Sequence, residues 1–425
     1  GYDRTAARLT ANSVTEPQSD ATAPWHYALH SWSREISSEE RPLALAGVPP
    51  ADQLACVLLA GPMLTAVDRI TGAERWRQPQ GSPPVWAGYG ETNLLLAAKG
   101  RLSAVSLESG EPLWHKTIDG LLKSDQPPCQ QFAATAARLI VFDPARGVTA
   151  ISSITGDEQW EFRPPRGQLQ SRWTMLDEKL VLQTLDPAEF WFVDASTGQL
   201  LRAIPGISQA WQHPPVDLGG ERIGFVTADR QVWGWGPGGK AKWKFRRGLS
   251  HAHADPWLIA HGDRLALLID GSTLVGIDPA DGERKWGTGL ADLPVTDPAR
   301  QVAVCQGLAV TAWQSRIRAV ALEGGRIAWE SALPSGVMDW TLKTWCGQIA
   351  AMGTAASPTP HAVLLLFDAA TGHPRQMWKL SCAATGGDWV LDDEGVLWLS
   401  RSEITAWEPM ESMPPINSER GASAP

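Results

Sequence analysis

The sequence predicts an all-β fold in which four-stranded antiparallel sheets stand radially around a closed ring, a β-propeller. Three observations predict it. One motif recurs with a mean step of about 43 residues, the mark of a repeat architecture. Trp accounts for 22 of the 425 residues against 3 Tyr and 8 Phe, with 40 Gly and 32 Pro. That composition favours short strands joined by turns and disfavours helical bundles, whose interiors exclude Pro. Finally, no run of 18 apolar residues occurs, so no helix is expected to cross a membrane.

The motif reads small residue, any residue, Asp, a short turn, Gly, three residues, Trp. Its clearest copy is Ala66, Asp68, Thr71, Gly72, Trp76. Further copies are centred on Gly110 and Trp114, Gly156 and Trp160, Gly239 and Trp243, Gly282 and Trp286, and Gly325 and Trp329. The fourth unit keeps Phe192, Asp194, Thr197 and Gly198 but carries Arg202 where Trp is expected. The eighth has Asp368, Thr371 and Gly372, then Trp378 after two extra residues.

Each unit divides the same way. In the second, a Pro-bearing entry (Pro83-Pro84-Val85-Trp86) leads to the apolar run Leu94 to Ala97. A second run, Leu102 to Val105, precedes the Gly turn, and Glu111 to Lys116 carries the Trp. That is a meander of four strands. Asp at the start of the turn bonds downstream amides, and Gly supplies positive φ. A single sheet of this size cannot bury both faces, whereas radial stacking buries them and ring closure removes the open ends. A flat indole filling the wedge between sheets contributes on the order of 4–6 kcal/mol gross from about 150–250 Å².

These repeats resemble the tryptophan-docking motif of the pyrroloquinoline-quinone (PQQ) type β-propeller superfamily, over residues 25 to 409. The style is similar to that of the propeller lipoproteins of the bacterial outer-membrane β-barrel assembly machinery. The resemblance implies Trp packed between blades and, by family habit, eight blades. The sequence counts nine, because Trp389 to Leu391, Val396 to Ser400 and Ile404 to Glu408 form a further three-strand pattern. The stretch Pro24 to Leu29 then reads as the detached fourth strand that closes the ring. The domain is expected to span residues 21–409, with flexible tails at 1–20 and 410–425.

Candidate chemistry is sparse. The five cysteines, Cys56, Cys129, Cys305, Cys346 and Cys382, are scattered and read as mostly free thiols. Quinoprotein dehydrogenases of the superfamily carry a vicinal Cys–Cys bridge and a Ca²⁺ site. Here no Cys–Cys pair occurs, and Asn is limited to Asn12, Asn93 and Asn417. His251, His253 and Asp255 share a strand face and could hold Zn²⁺, but Pro256 stands where metal-dependent hydrolases carry His, and the segment reads as a polar loop. Gly236 to Lys240 lacks phosphate-loop spacing. Lys240, Lys242, Lys244, Arg246 and Arg247 alternate with apolar residues along one strand. They give a cationic face that is either solvated or a patch for an acidic partner. No nucleophile elbow or catalytic triad is evident.

The expectation is a non-catalytic scaffold for protein–protein interaction, with no cofactor and no metal, in the periplasm or another extracytoplasmic space. The resemblance implies a role in envelope assembly. The alternatives are a sensor or ligand-binding ectodomain of a membrane-anchored protein and, third, a quinone-dependent dehydrogenase. The chain begins at Gly1 without a signal peptide, which suits a processed or excised segment. A net charge of −9 without a long basic run argues against nucleic acid as a partner.

Overall fold

The computed structural model describes residues 25–27, 30–43, 45–46, 56–118, 131–143, 146–176, 178–219, 221–236, 241–245, 256–261, 265–270, 273–290, 298–313, 315–345, 347–355, 361–381, 388–392, 395–400 and 402–407. Both expected tails lie outside these residues. Nine sheets built on four-stranded antiparallel meanders follow one another as blades. Blade 1 runs through Arg41–Leu43, Cys56–Ala60, Met63–Asp68 and Glu74–Pro79. Blades 2 to 5 end on Pro112–Thr117, Glu158–Phe162, Leu200–Pro205 and Ala241–Phe245. Blades 6 to 8 end on Arg284–Gly289, Ile327–Ala332 and Pro374–Ser381. Blade 9 supplies Asp388–Asp392, Gly395–Leu399 and Glu403–Trp407. The count follows the repeats and not the family habit of eight. A single turn of helix, Pro298–Gln301, precedes blade 7.

The strand patterns follow from stacking. A central strand such as Asn93–Ala98 is buried at every residue because both faces of its sheet meet a neighbour. The last strand of the same blade, Pro112–Thr117, is largely exposed. The core is accordingly divided among the seams, with one apolar cluster between each pair of neighbouring blades. Leu58, Ala66 and Trp76 of blade 1 pack on Tyr89 and Leu94 of blade 2. The ring closes where Leu59 and Val67 of blade 1 meet Leu397 and Ile404 of blade 9.

The closing strand is not the one expected. His30–Glu35 completes blade 9, with Ser33 opposite Thr405 and Glu35 opposite Glu403. Trp25–Tyr27 instead lies parallel to the last strand of blade 8, with His26 beside Trp378. The reason is chain reach. The strand that closes the ring must be joined to the first strand of blade 1 by a short link. From Glu35 only residues 36–40 intervene, and Ile36 packs into the seam between blades 9 and 1. Pro24 to Leu29 sits one strand too early. Beyond blade 1, Leu45–Ala46 adds a parallel strand to Trp86–Tyr89 of blade 2. Residues 25–46 thus contribute to blades 8, 9, 1 and 2 in succession.

Candidate functional site

The recurrent built feature is the joint between blades. It begins at the turn before the last strand. Asp68 Oδ1 accepts from the Ile70 amide at 3.0 Å and the Thr71 amide at 2.8 Å, and Gly72 N–H donates to the Asp68 carbonyl at 2.9 Å. A bulge follows, and its outward residue, Arg75, returns to Asp68 Oδ2 at 2.7 Å. Lys285 pairs with Asp278 in the same way at 2.9 Å, and Arg375 pairs with Asp368. These contacts hold the carboxyls below the ordinary Asp value. At Asp68 partial burial works upward, and the Thr71 amide and Arg75 guanidinium overcome it. At Asp278 the Ala280 amide leads, and at Asp368 the Arg375 hydrogen bond.

The residue after the bulge is the docking residue. Trp76 packs against Gly110 of the next blade, Trp114 against Gly156, Trp160 against Gly198, Trp243 against Gly282, Trp286 against Gly325 and Trp329 against Gly372. At Gly325 φ is +67°, and a Cβ there would sit 2.4 Å from the Trp286 ring. Only Gly satisfies both conditions. The indole Nε1 then donates across the seam, from Trp76 to the Leu107 carbonyl at 3.0 Å and from Trp286 to the Leu322 carbonyl at 2.8 Å. Trp114, Trp243 and Trp329 do the same with Ser153, Pro279 and Ala369. Trp160 Nε1 is buried without an acceptor among the described residues.

Each docked Trp also faces a small residue across its own sheet. The pairs are Ala66 with Trp76, Ala104 with Trp114, Ala150 with Trp160, Gly234 with Trp243, Gly276 with Trp286 and Ala319 with Trp329. Where that partner is large, the Trp is missing. Phe192 lies opposite Arg202 and Leu366 opposite Gln376. Gln376 therefore occupies the docking position of blade 8, and Trp378, expected there, lies two residues beyond it. Trp378 joins Trp389, Trp398 and Trp407 in the seam between blades 8 and 9.

Arg202 makes a different joint. Its guanidinium lies 4.1 Å above the Phe192 ring and donates to Glu221 Oε2 at 2.8 Å and to the Glu221 carbonyl at 3.1 Å in blade 5. Beside it, Phe190, Trp211, Phe225 and Trp235 interlock, with ring centroids 5.3–6.2 Å apart. A cleft of about 30 Å³ remains between Lys179 and Phe192 on one side and Asp217 and Arg222 on the other. This aromatic cluster is not apparent in the repeat pattern, because its Trp211 comes from the link preceding blade 5.

Of the expected cationic strand, Lys244 is exposed, with its amine 4.8 Å above the Trp233 ring, and Trp243 is buried. Lys242 lies on the strand Ala241–Phe245, with its side chain outside the description. Lys240, Arg246, Arg247, His251, His253, Asp255 and the turn glycine Gly239 lie outside the described residues. Among the described residues no group of three His, Cys, Asp or Glu is placed to hold a metal ion. No helix there is long and apolar enough to cross a membrane. Cys305 is a free thiol, and burial raises its pKa.

A family model described as outer membrane protein assembly factor BamB matches residues 60–202 and 98–373. No curated protein matches the chain. Among solved structures, the computationally designed Ika8 protein is 12% identical with a TM-score of 0.50, over 77% of this chain and 97% of its own. BamB from Moraxella catarrhalis is 13% identical with a TM-score of 0.47, over 77% and 95%. Quinohemoprotein alcohol dehydrogenase from Comamonas testosteroni is 13% identical with a TM-score of 0.45, over 91% and 77%. At these identities the likeness is one of fold.

Proposed function

The chain belongs to the family described as outer membrane protein assembly factor BamB, and from that premise we propose that it is a non-catalytic scaffold that binds other proteins during assembly of the cell envelope, on the periplasmic or another extracytoplasmic side. The observation that carries this reading is the match of the family model across residues 60–373. The physics of the ring supports it. The seams are filled by apolar side chains and docked indoles, so residues of the turns and outer strands outside the docking set are left to vary without cost to the core. Strand addition at a blade edge is one mode by which such a scaffold takes a partner. The last strand of blade 8 already accepts Trp25–Tyr27 in parallel from its own chain.

The test is purification of the native protein under mild conditions with mass spectrometry of what accompanies it. Envelope-assembly proteins recovered in stoichiometric amount are expected. A tightly bound small molecule with no protein partner would overturn the reading. A parallel titration with PQQ and Ca²⁺ should leave the absorbance spectrum as the sum of its parts and the melting temperature unmoved.

A further inference from the structure

The repeat register allows one position to be compared around the wheel. The bulge residue before the docking position is Arg75 in blade 1, Lys285 in blade 6 and Arg375 in blade 8, and each neutralises the Asp of its own turn. In blades 2 and 4 the same position holds Leu113 and Leu201. Neither can pair with a carboxylate, and both stand exposed. Between them blade 3 presents Ile154 from its turn, and blade 4 adds Leu200. The four side chains are 46–56% exposed. They lie at one end of the wheel on consecutive blades, because Trp114 docks beside the blade 3 turn at Gly156 and Trp160 beside the blade 4 turn at Gly198. Single exposed apolar residues are ordinary, whereas four at one end of three consecutive blades form a patch.

The frame of this row is predominantly acidic, and Lys179, opposite Asp194 at the same end, is an exposed cation within it. Glu108 and Glu111 of blade 2, Asp157 of blade 3 and Glu178 of blade 4 are exposed and form no ion pair among the described residues. Glu178 belongs to the same end, since its carbonyl accepts from the Ala195 amide in the blade 4 turn. Glu158 is already taken by Lys116 at 2.7 Å. An apolar row within unpaired carboxylates complements a segment carrying both apolar and cationic side chains. It repels the surface of an anionic membrane.

We propose that the turn rim of blades 2 to 4 is a docking surface for an extended, basic segment of a partner protein bearing Leu or Val between its Lys or Arg residues. The proposal rests on the scaffold reading and names where and what that scaffold binds. Apolar contact with Leu113, Ile154, Leu200 and Leu201 supplies affinity. The carboxylates supply register and speed of encounter.

The probe is a short fluorescein-labelled peptide in which Lys and Val alternate with Ser, titrated onto the full chain by anisotropy. Binding is expected, weakened at least about tenfold by the double substitution Leu113→Ser and Leu201→Ser. It should be weakened also by salt and by Glu108→Gln with Glu111→Gln. Ile327→Ser, an exposed position on blade 7, should leave it unchanged, and the melting temperatures of all variants should match. Absence of binding to the unsubstituted chain overturns the proposal, as does undiminished binding to the Leu113/Leu201 variant. It is also overturned if vesicles of phosphatidylglycerol and phosphatidylcholine sediment the chain through this same rim. The two levels separate in the native purification. Partners retained by the Leu113/Leu201 variant remove the rim and leave the scaffold, while absence of any partner from the unsubstituted protein removes the scaffold.

Discussion

The seam between blades 6 and 7 and the seam between blades 4 and 5 solve one problem with different side chains. In the first, Trp286 lies on Gly325, donates to the Leu322 carbonyl and faces Gly276 across its own sheet. In the second, Phe192 occupies the space a docked indole would need. Arg202 stands over its ring and reaches Glu221, and Phe190, Trp211, Phe225 and Trp235 fill the adjoining wedge. The lesson is that docking is a four-part unit of Trp, carbonyl acceptor, partner Gly and small cross-strand residue. A large cross-strand residue shifts the seam to another kind of packing without opening the ring, whereas Trp160 stays on Gly198 without a carbonyl acceptor among the described residues. The seam between blades 8 and 9 repeats the lesson with Trp378, Trp389, Trp398 and Trp407.

The largest expected effect bears on a third kind of seam, the closure. Removing residues 1–35 deletes the fourth strand of blade 9 and the added strand of blade 8. It also removes Arg34, whose guanidinium lies 3.6 Å from Glu74 of blade 1. The melting temperature should fall by on the order of 10 °C or more. An unchanged melt would show that the seam between blades 9 and 1 holds without its strand.

Next in size is Gly325→Val, which puts a branched side chain at φ +67° and into the Trp286 ring. A loss of at least about 2 kcal/mol in denaturant unfolding is expected. A neutral result would separate docking from the Gly. A smaller effect sharpens the contrast directly. Arg202→Trp alone should destabilise, because Phe192 faces it. Combined with Phe192→Ala it should recover, with a coupling of about 1–3 kcal/mol in a double-mutant cycle. Additive effects would mean that the cross-strand partner does not govern the slot.

The smallest effect is electrostatic. Asp68, Asp278 and Asp368 are held below their ordinary value. Their contribution is therefore complete above about pH 4 and is lost as pH falls through the lowered values. Asp368→Asn should cost about 1 kcal/mol or less at pH 7. The gap should close as the pH is lowered toward about 2, and a gap that persists there would locate the effect in the turn backbone instead.

Much of this was legible in the residues. The repeat gave the wheel and eight of its sheets, because an indole and a turn glycine are rare enough to be seen at a fixed step, and the strand pattern from Trp389 to Glu408 gave the ninth. The small residue at the head of the motif was visible as well, and it proves to be the cross-strand partner of the Trp. Its replacement by Phe192 therefore signals the altered seam at Arg202. Register was not legible at the eighth blade. The bulge places Gln376 in the slot, while the Trp that catches the eye is Trp378. Strand identity was ambiguous at the start of the chain too, where Trp25–Tyr27 and His30–Glu35 are both extended and only chain reach separates their places. The exposed row from Leu113 to Leu201 could not be read from spacing, since exposure depends on what the bulge residue has to pair with.

The most direct test of the docking account is equilibrium unfolding of Trp286→Ala. Removing a wedged indole that also donates to the neighbouring blade should cost about 3–5 kcal/mol, as truncation of a large buried aromatic does. A loss below about 1 kcal/mol, the range of ordinary surface changes, would mean that the ring between blades 6 and 7 is not what joins them.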